Sequence, residues 1–243
     1  MSQPQRSASN RPDDAEDAVR TLRRYHEGVL ALAERRAETR FIIDGAPRHP
    51  ELILPVEPAF AAADDLLLTV PDEPSWVWQA TLTPSPIARP EIEEAVDRWS
   101  AYHGRCPPRT VWVRASLDGL KLQGLLGEHP VWRGVDLSTH NLVRDVEPRF
   151  IRRLNADRAL LTRACKNHGP VDVPEPLAVG VDPLGIDVRA RFGIVRLEFP
   201  DHVIAHTPEQ LDRAVEFILG TRAWADHPTG ASEPGSWHRP PER

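Results

Sequence analysis

The stretch LAVGVDPLGIDVRARFGIVRLEF, residues 177–199, decides the fold of the C-terminal half. Three runs rich in Val, Ile and Leu, Leu177–Val181, Ile186–Ala190 and Ile194–Phe199, are parted by Asp-Pro-Leu-Gly and Arg-Phe-Gly. Runs this short, bounded by Pro and Gly, read as β-strands. Upstream, Pro148–Asn167 places Ile151, Leu154, Leu161, Ala164 and Cys165 on one apolar side of a predicted helix. Downstream, Thr207-Pro208-Glu209-Gln210 has the form of a capping box with Pro at the first helical position. The helix it opens buries Leu211, Ala214, Val215, Ile218 and Leu219 and stops at Gly220. Residues 147–220 therefore read as a small α/β domain of helix, three strands and helix.

Working outward, residues 1–13 are polar and read as disordered, as does the Pro-, Gly- and Ser-rich tail over residues 221–243. Asp13 or Asp14 caps a predicted helix reaching about Arg36, with Val19, Leu22, His26, Val29, Leu30 and Ala33 at helical spacing. Arg40–Ile43, Leu52–Val56, Leu66–Val70 and Ser75–Leu82 then read as strands, the last with Trp76, Trp78, Ala80 and Leu82 on its more apolar face. Pro90 opens a helix that ends at Gly104. Thr110–Leu117 and Leu120–Leu126 flank Asp118-Gly119, which predicts a tight hairpin, and Val131–Leu137 predicts a further strand. The expected organisation is a domain over 14–137, a linker over 138–146 and the α/β domain, an α+β chain.

Of 243 residues 40% are hydrophobic, enough for a buried core, and the formal charge is −6. That charge is concentrated: His49 to Ala88 holds six acids and no Lys or Arg. No basic stripe with interleaved aromatics exists, which argues against a nucleic-acid partner. No apolar run approaches the roughly 18–20 residues of a membrane span, and the polar start gives no expectation of a secretory leader. Cys106 and Cys165 match no metal or redox spacing, so a reducing, cytoplasmic setting is expected. Among 30 basic residues only Lys121 and Lys166 are lysine, a bias spread over the whole chain that reads as compositional.

Common catalytic signatures are missing: no Gly-x-Ser-x-Gly elbow, phosphate loop, dinucleotide fingerprint or His-Glu-x-x-His. His202 and His206 precede a helix cap instead of sharing a helix face, which suits solvated loop histidines better than a metal pair. Tyr102-His103-Gly104-Arg105-Cys106 sits at a helix C-terminus, which disfavours a thiolate and suits a protonated His. The remaining candidate is Arg153-Leu154-Asn155-Ala156-Asp157-Arg158, read either as a solvated helix with an Arg153–Asp157 ion pair or as a polar contact. In that contact Asn155, Asp157 and Arg158 would meet the barrel or a ligand, and Asn155 in particular is expected to be engaged, since Asn inside a helix is unfavourable.

This segment, with Gly180–Asp187, Arg196–Pro200 and the Thr207–Gly220 helix, resembles the small α/β domain of HugZ-like haem-utilisation proteins. Their helix usually reads His-Met-Asn-x-Asp/Glu-His; here Asn155 and Asp157 remain, while Arg153 and Arg158 stand at the histidine positions. The resemblance implies an FMN-binding split barrel similar to pyridoxamine phosphate oxidase, a homodimer, and a setting in haem or tetrapyrrole metabolism. Such barrels hold the FMN phosphate with cations from early strands, and the matching stretch here has none, leaving Arg40, Arg48 or a second subunit to supply one. The expectation is a split-barrel-like binding or regulatory protein with a degenerate flavin site. The alternative is an FMN- or haem-dependent oxidoreductase, for which His238 beside Trp237 is the haem-ligand candidate.

Overall fold

The computed structural model describes residues 15–45, 50–70, 76–124, 131–133, 141–169, 173–200 and 203–221. A short helix α1 (Ala15–Leu22) leads into strands β1 (Glu27–Leu32), β2 (Arg35–Arg40), β3 (Ile42–Gly45) and β4 (Pro50–Val56). One helical turn α2 (Pro58–Ala61) precedes β5 (Leu66–Val70), β6 (Trp76–Pro86), helix α3 (Arg89–His103), β7 (Val111–Gly124) and β8 (Val131–Arg133). These strands form one antiparallel sheet in the order β2-β1-β5-β6-β7-β4-β3, with β8 also on β7, and its curl brings β2 against β4. The enclosed core joins Leu30, Phe41, Leu52, Leu68, Ala80, Val113 and Leu120 with Leu22 of α1. This is the split-barrel-like unit of an α+β fold.

Two expectations fail in this unit for identifiable reasons. The helix predicted to reach Arg36 stops at Leu22, and β1 and β2 form a hairpin around Ala33 and Glu34, with Ala33 at φ 51°. Val29, Leu30 and Ala33 fit a helical period over so short a run, but Gly28 settles the matter. A Cβ there would lie 2.4 Å from Val70 Cγ1 and 2.5 Å from the Thr69 carbonyl, so only glycine lets β1 pack this closely on β5. Asp118-Gly119 makes no turn either: β7 runs straight through it along β6. The register slips between Thr81 and Leu82, leaving Asp118 as the extra residue of a bulge, where its carboxylate accepts a 2.6 Å bond from Thr83.

The C-terminal unit contains α4 (Glu147–Ala156), α5 (Arg158–His168), β9 (Leu177–Asp182), β10 (Gly185–Ala190), β11 (Gly193–Glu198) and α6 (Pro208–Ile218). Its three strands pair in the order β11-β10-β9, and the Thr207/Gln210 capping box forms as expected. The single helix expected over Pro148–Asn167 is broken at Asp157, which leaves helical geometry and accepts from the Leu160 N–H to cap α5. Val143 is wholly buried in this unit's core, and Leu184, in the β9–β10 turn, is buried in the barrel's core. Helix α3 lies between the two, its Ala95, Trp99 and Tyr102 packed against Ile42 and Ile53 on one side and Val179 on the other. Among the described residues no helix is long and apolar enough to cross a membrane.

Candidate functional site

The two units meet on buried charge. Arg196 of β11 donates to Asp187 at 2.8 Å and to Asp182 at 2.7 Å, and Arg23, just past α1, adds a 2.8 Å bond to Asp182. Tyr102 of α3 donates to the second oxygen of Asp187 at 2.9 Å. Burial alone would raise both carboxyls, yet the Arg196 guanidinium holds them below the usual range, with help from Arg23 at Asp182 and His26 at Asp187. Two arginines face two aspartates here, so the cluster is balanced. Gly180 makes it possible, because a Cβ at that position would lie 1.7 Å from the Tyr102 hydroxyl oxygen. Arg20 donates to the Phe199 carbonyl, and Arg24 grips Glu198 with two bonds of 2.5 and 2.7 Å.

Beside this cluster a cavity of about 560 Å³ opens between barrel and α/β unit. The start of β1, the end of α3 and the β10–β11 hairpin wall it, and Arg24, Arg40, Arg189 and Arg191 line it against Glu27 as the only lining carboxylate among the described residues. Arg24 and Arg191 are met by Glu198 and Glu175, and Arg40 by Glu27 at 3.6 Å. Arg189 differs: it donates to the Ala101 carbonyl at 2.6 Å and the Ser100 carbonyl at 3.3 Å, at the C-terminal end of α3. Among the described residues it has no carboxylate partner, so its charge is oriented without being neutralised.

Aromatic rings complete the walls. His103 packs against Trp99 with ring centres 4.6 Å apart and planes tilted by 45°, and its Nε2 lies 3.0 Å from the Phe41 carbonyl oxygen. A carbonyl only accepts, so Nε2 carries the proton and Nδ1 keeps the lone pair. Burial pushes the His103 pKa down to about 4, which makes the ring neutral at physiological pH and overturns the protonated form expected at a helix C-terminus. His26 is 7% exposed, and among the described residues neither of its ring nitrogens has a hydrogen-bond partner, Nε2 lying 3.8 Å from Asp187. Phe192 stands 61% exposed in the same lining. Burial and Asp187 raise the Tyr102 phenol well above its ordinary value, so it stays protonated and serves as a hydrogen-bond donor to Asp187.

The residues singled out from sequence lie elsewhere. Asn155 bonds the backbone of Ala178 with both ends of its amide, at 2.9 and 2.8 Å, and so is engaged as expected. Asp157 caps α5, and Arg158 is exposed at the first position of that helix. Arg153 pairs with Asp212 rather than with Asp157. None of these lines the cavity. His206 is exposed in a loop, and His202 and His238 lie outside the described residues, in which no cluster of metal-binding side chains occurs. Cys106 touches the Ser100 hydroxyl at 3.1 Å and is not part of the cavity wall. Of the acids in the cation-free segment, Glu51 meets Arg114, which with Arg98 and Arg144 also surrounds the buried Asp44. Sequence reasoning passed over Arg189 and Arg191, whose two-residue spacing on a short hairpin was the available signal.

No protein-family model matches the chain, and no curated protein matches it by sequence. Among solved structures, the protein Atu2129 of unknown function from Agrobacterium tumefaciens str. C58 is similar with a TM-score of 0.64. Its identity is 17%, over 91% of this chain and 100% of that one. It shares the split-barrel-like fold. A heme binding protein from Mycobacterium smegmatis is more distant, with a TM-score of 0.41 and 18% identity over 87% of this chain and 98% of its own. Likeness at these identities concerns the fold and leaves function to the geometry of the cavity.

Proposed function

We propose that the chain is a non-catalytic, split-barrel-like binding protein whose junction cavity takes an anionic small molecule of the tetrapyrrole class. The observation that supports this most is Arg189, a cation fixed by the carbonyls at the end of α3 and lacking a carboxylate partner among the described residues. A carboxylate-bearing ligand supplies that partner through charge-assisted bonds. The cavity volume of about 560 Å³ falls within the range typical of small-molecule sites. Phe192 and His103 line the same cavity, a suitable surrounding for a flat ligand. The resemblance of residues 147–220 to HugZ-like proteins supplies the tetrapyrrole setting, and a cytoplasmic homodimer paired through the barrel belongs to the same reading.

The experiment is a spectrum of the protein as purified, followed by titration with protoporphyrin IX, hemin and FMN. The reading predicts saturable tetrapyrrole binding at micromolar or lower concentration and much weaker FMN binding. Flavin bands in the purified protein, or FMN binding tighter than either tetrapyrrole, would replace it with the oxidoreductase reading. Absence of binding by all three overturns it.

A further inference from the structure

Resting on the tetrapyrrole reading, a more specific inference concerns which form of the ligand is taken. We propose that His103, through Nδ1, ligates the metal of a metallated tetrapyrrole held in the junction cavity. Three observations carry this. His103 lines the cavity. Its Nε2–H is committed to the Phe41 carbonyl at 3.0 Å, so Nδ1 is the ring's only lone pair and has no hydrogen-bond partner among the described residues. The Trp99 ring packs against the imidazole at 4.6 Å between centres, with the planes tilted by 45°.

A backbone carbonyl on one ring nitrogen, setting the tautomer and orientation of the other, is the arrangement that presents a neutral imidazole to a metal. The residues therefore fit a metallated ring: His103 would hold the metal, and Arg189 would meet a peripheral carboxylate. His26 is the less suitable neighbour. Both its nitrogens are enclosed, and one of them faces Asp187 at 3.8 Å. Its ring centre lies 6.4 Å from that of His103.

The test compares hemin with protoporphyrin IX, which has the same ring and carboxylates and no metal, on the full-length chain and on His103→Ala. The wild-type chain is expected to bind hemin at least tenfold more tightly than protoporphyrin IX, with the absorption and electron paramagnetic resonance signature of nitrogen-ligated ferric iron. His103→Ala should bring hemin affinity down to that of protoporphyrin IX and abolish that signature, and added imidazole should restore it. Unchanged protoporphyrin IX affinity shows that the variant is folded. His103→Met, which offers sulfur, should change the signature without abolishing ligation. Equal affinity for the two ligands in the wild-type chain overturns the inference and leaves the tetrapyrrole reading standing. So does a hemin signature that survives His103→Ala and disappears in His238→Ala. If neither ligand binds the wild-type chain, both fall.

Discussion

Gly180 and Tyr102 show how a single missing side chain joins two units. The Tyr102 hydroxyl reaches Asp187 only because residue 180 has no Cβ, which would sit 1.7 Å from that oxygen. Gly180→Ala is therefore expected to push Tyr102 off Asp187 and destabilise the protein by about 2–4 kcal/mol, the scale of overpacking plus a buried polar group left unpaired. Tyr102→Phe removes the clashing oxygen, so the two changes together should cost less than their sum. A double-mutant cycle by chemical denaturation checks this, and simple additivity would place the strain elsewhere. His103 predicts a pH dependence. Its pKa is about 4 in the folded protein against 6.5 in an unfolded chain, so between these values the unfolded state binds more protons. Stability should thus be flat above about pH 6.5 and fall as the pH drops toward 4. In His103→Gln this part of the slope should shrink, leaving the loss below about pH 4 that comes from protonating Asp182 and Asp187, which are held below their ordinary range. A melting-temperature series across pH measures both arms.

Elements were legible where local chemistry and tertiary packing agree. Thr207-Pro208-Glu209-Gln210 caps α6 as its sequence requires, and the three strands expected between residues 177 and 199 form. They were misread where a short signal serves two structures. Asp-Gly suits a tight turn and a bulge equally, and the partner strand β6, eleven residues long, decides for the bulge. Asp157 caps as readily as it sits within a helix, and the α4–α5 break follows from the cap. The cavity was least legible, because its walls come from β1, α3 and the β10–β11 hairpin, far apart in sequence. Asn155 illustrates what an unfavourable helix residue is for. In the three-stranded sheet β9 is an edge, and α4 covers it by bonding Ala178 through Asn155 and the Val181 N–H through Glu147. Asn155→Ala should raise helix propensity and still lose about 1–3 kcal/mol, since both backbone groups of Ala178 lose their partners. Unchanged or increased stability in urea denaturation would show that water replaces the amide at no cost.

At the scale of the whole molecule, the barrel and the α/β unit are fastened by Arg23, Asp182, Asp187 and Arg196, with Leu184 inserted into the barrel core. This fastening fixes the β10–β11 hairpin against the end of α3, and the space left between them is the cavity with its oriented cation. This cavity is the proposed ligand site, and Arg189 is the cation proposed to meet the ligand there. The decisive measurement is the equilibrium affinity of the full-length chain for protoporphyrin IX, wild type beside Arg189→Gln, with Arg153→Gln as a control at the exposed ion pair to Asp212, outside the cavity lining. Arg189→Gln is expected to lose about tenfold or more, the worth of one charge-assisted hydrogen bond, with a modest fall in melting temperature from the lost bonds to the Ala101 and Ser100 carbonyls, while Arg153→Gln binds as the wild type does. Equal affinity for all three proteins would contradict this proposal.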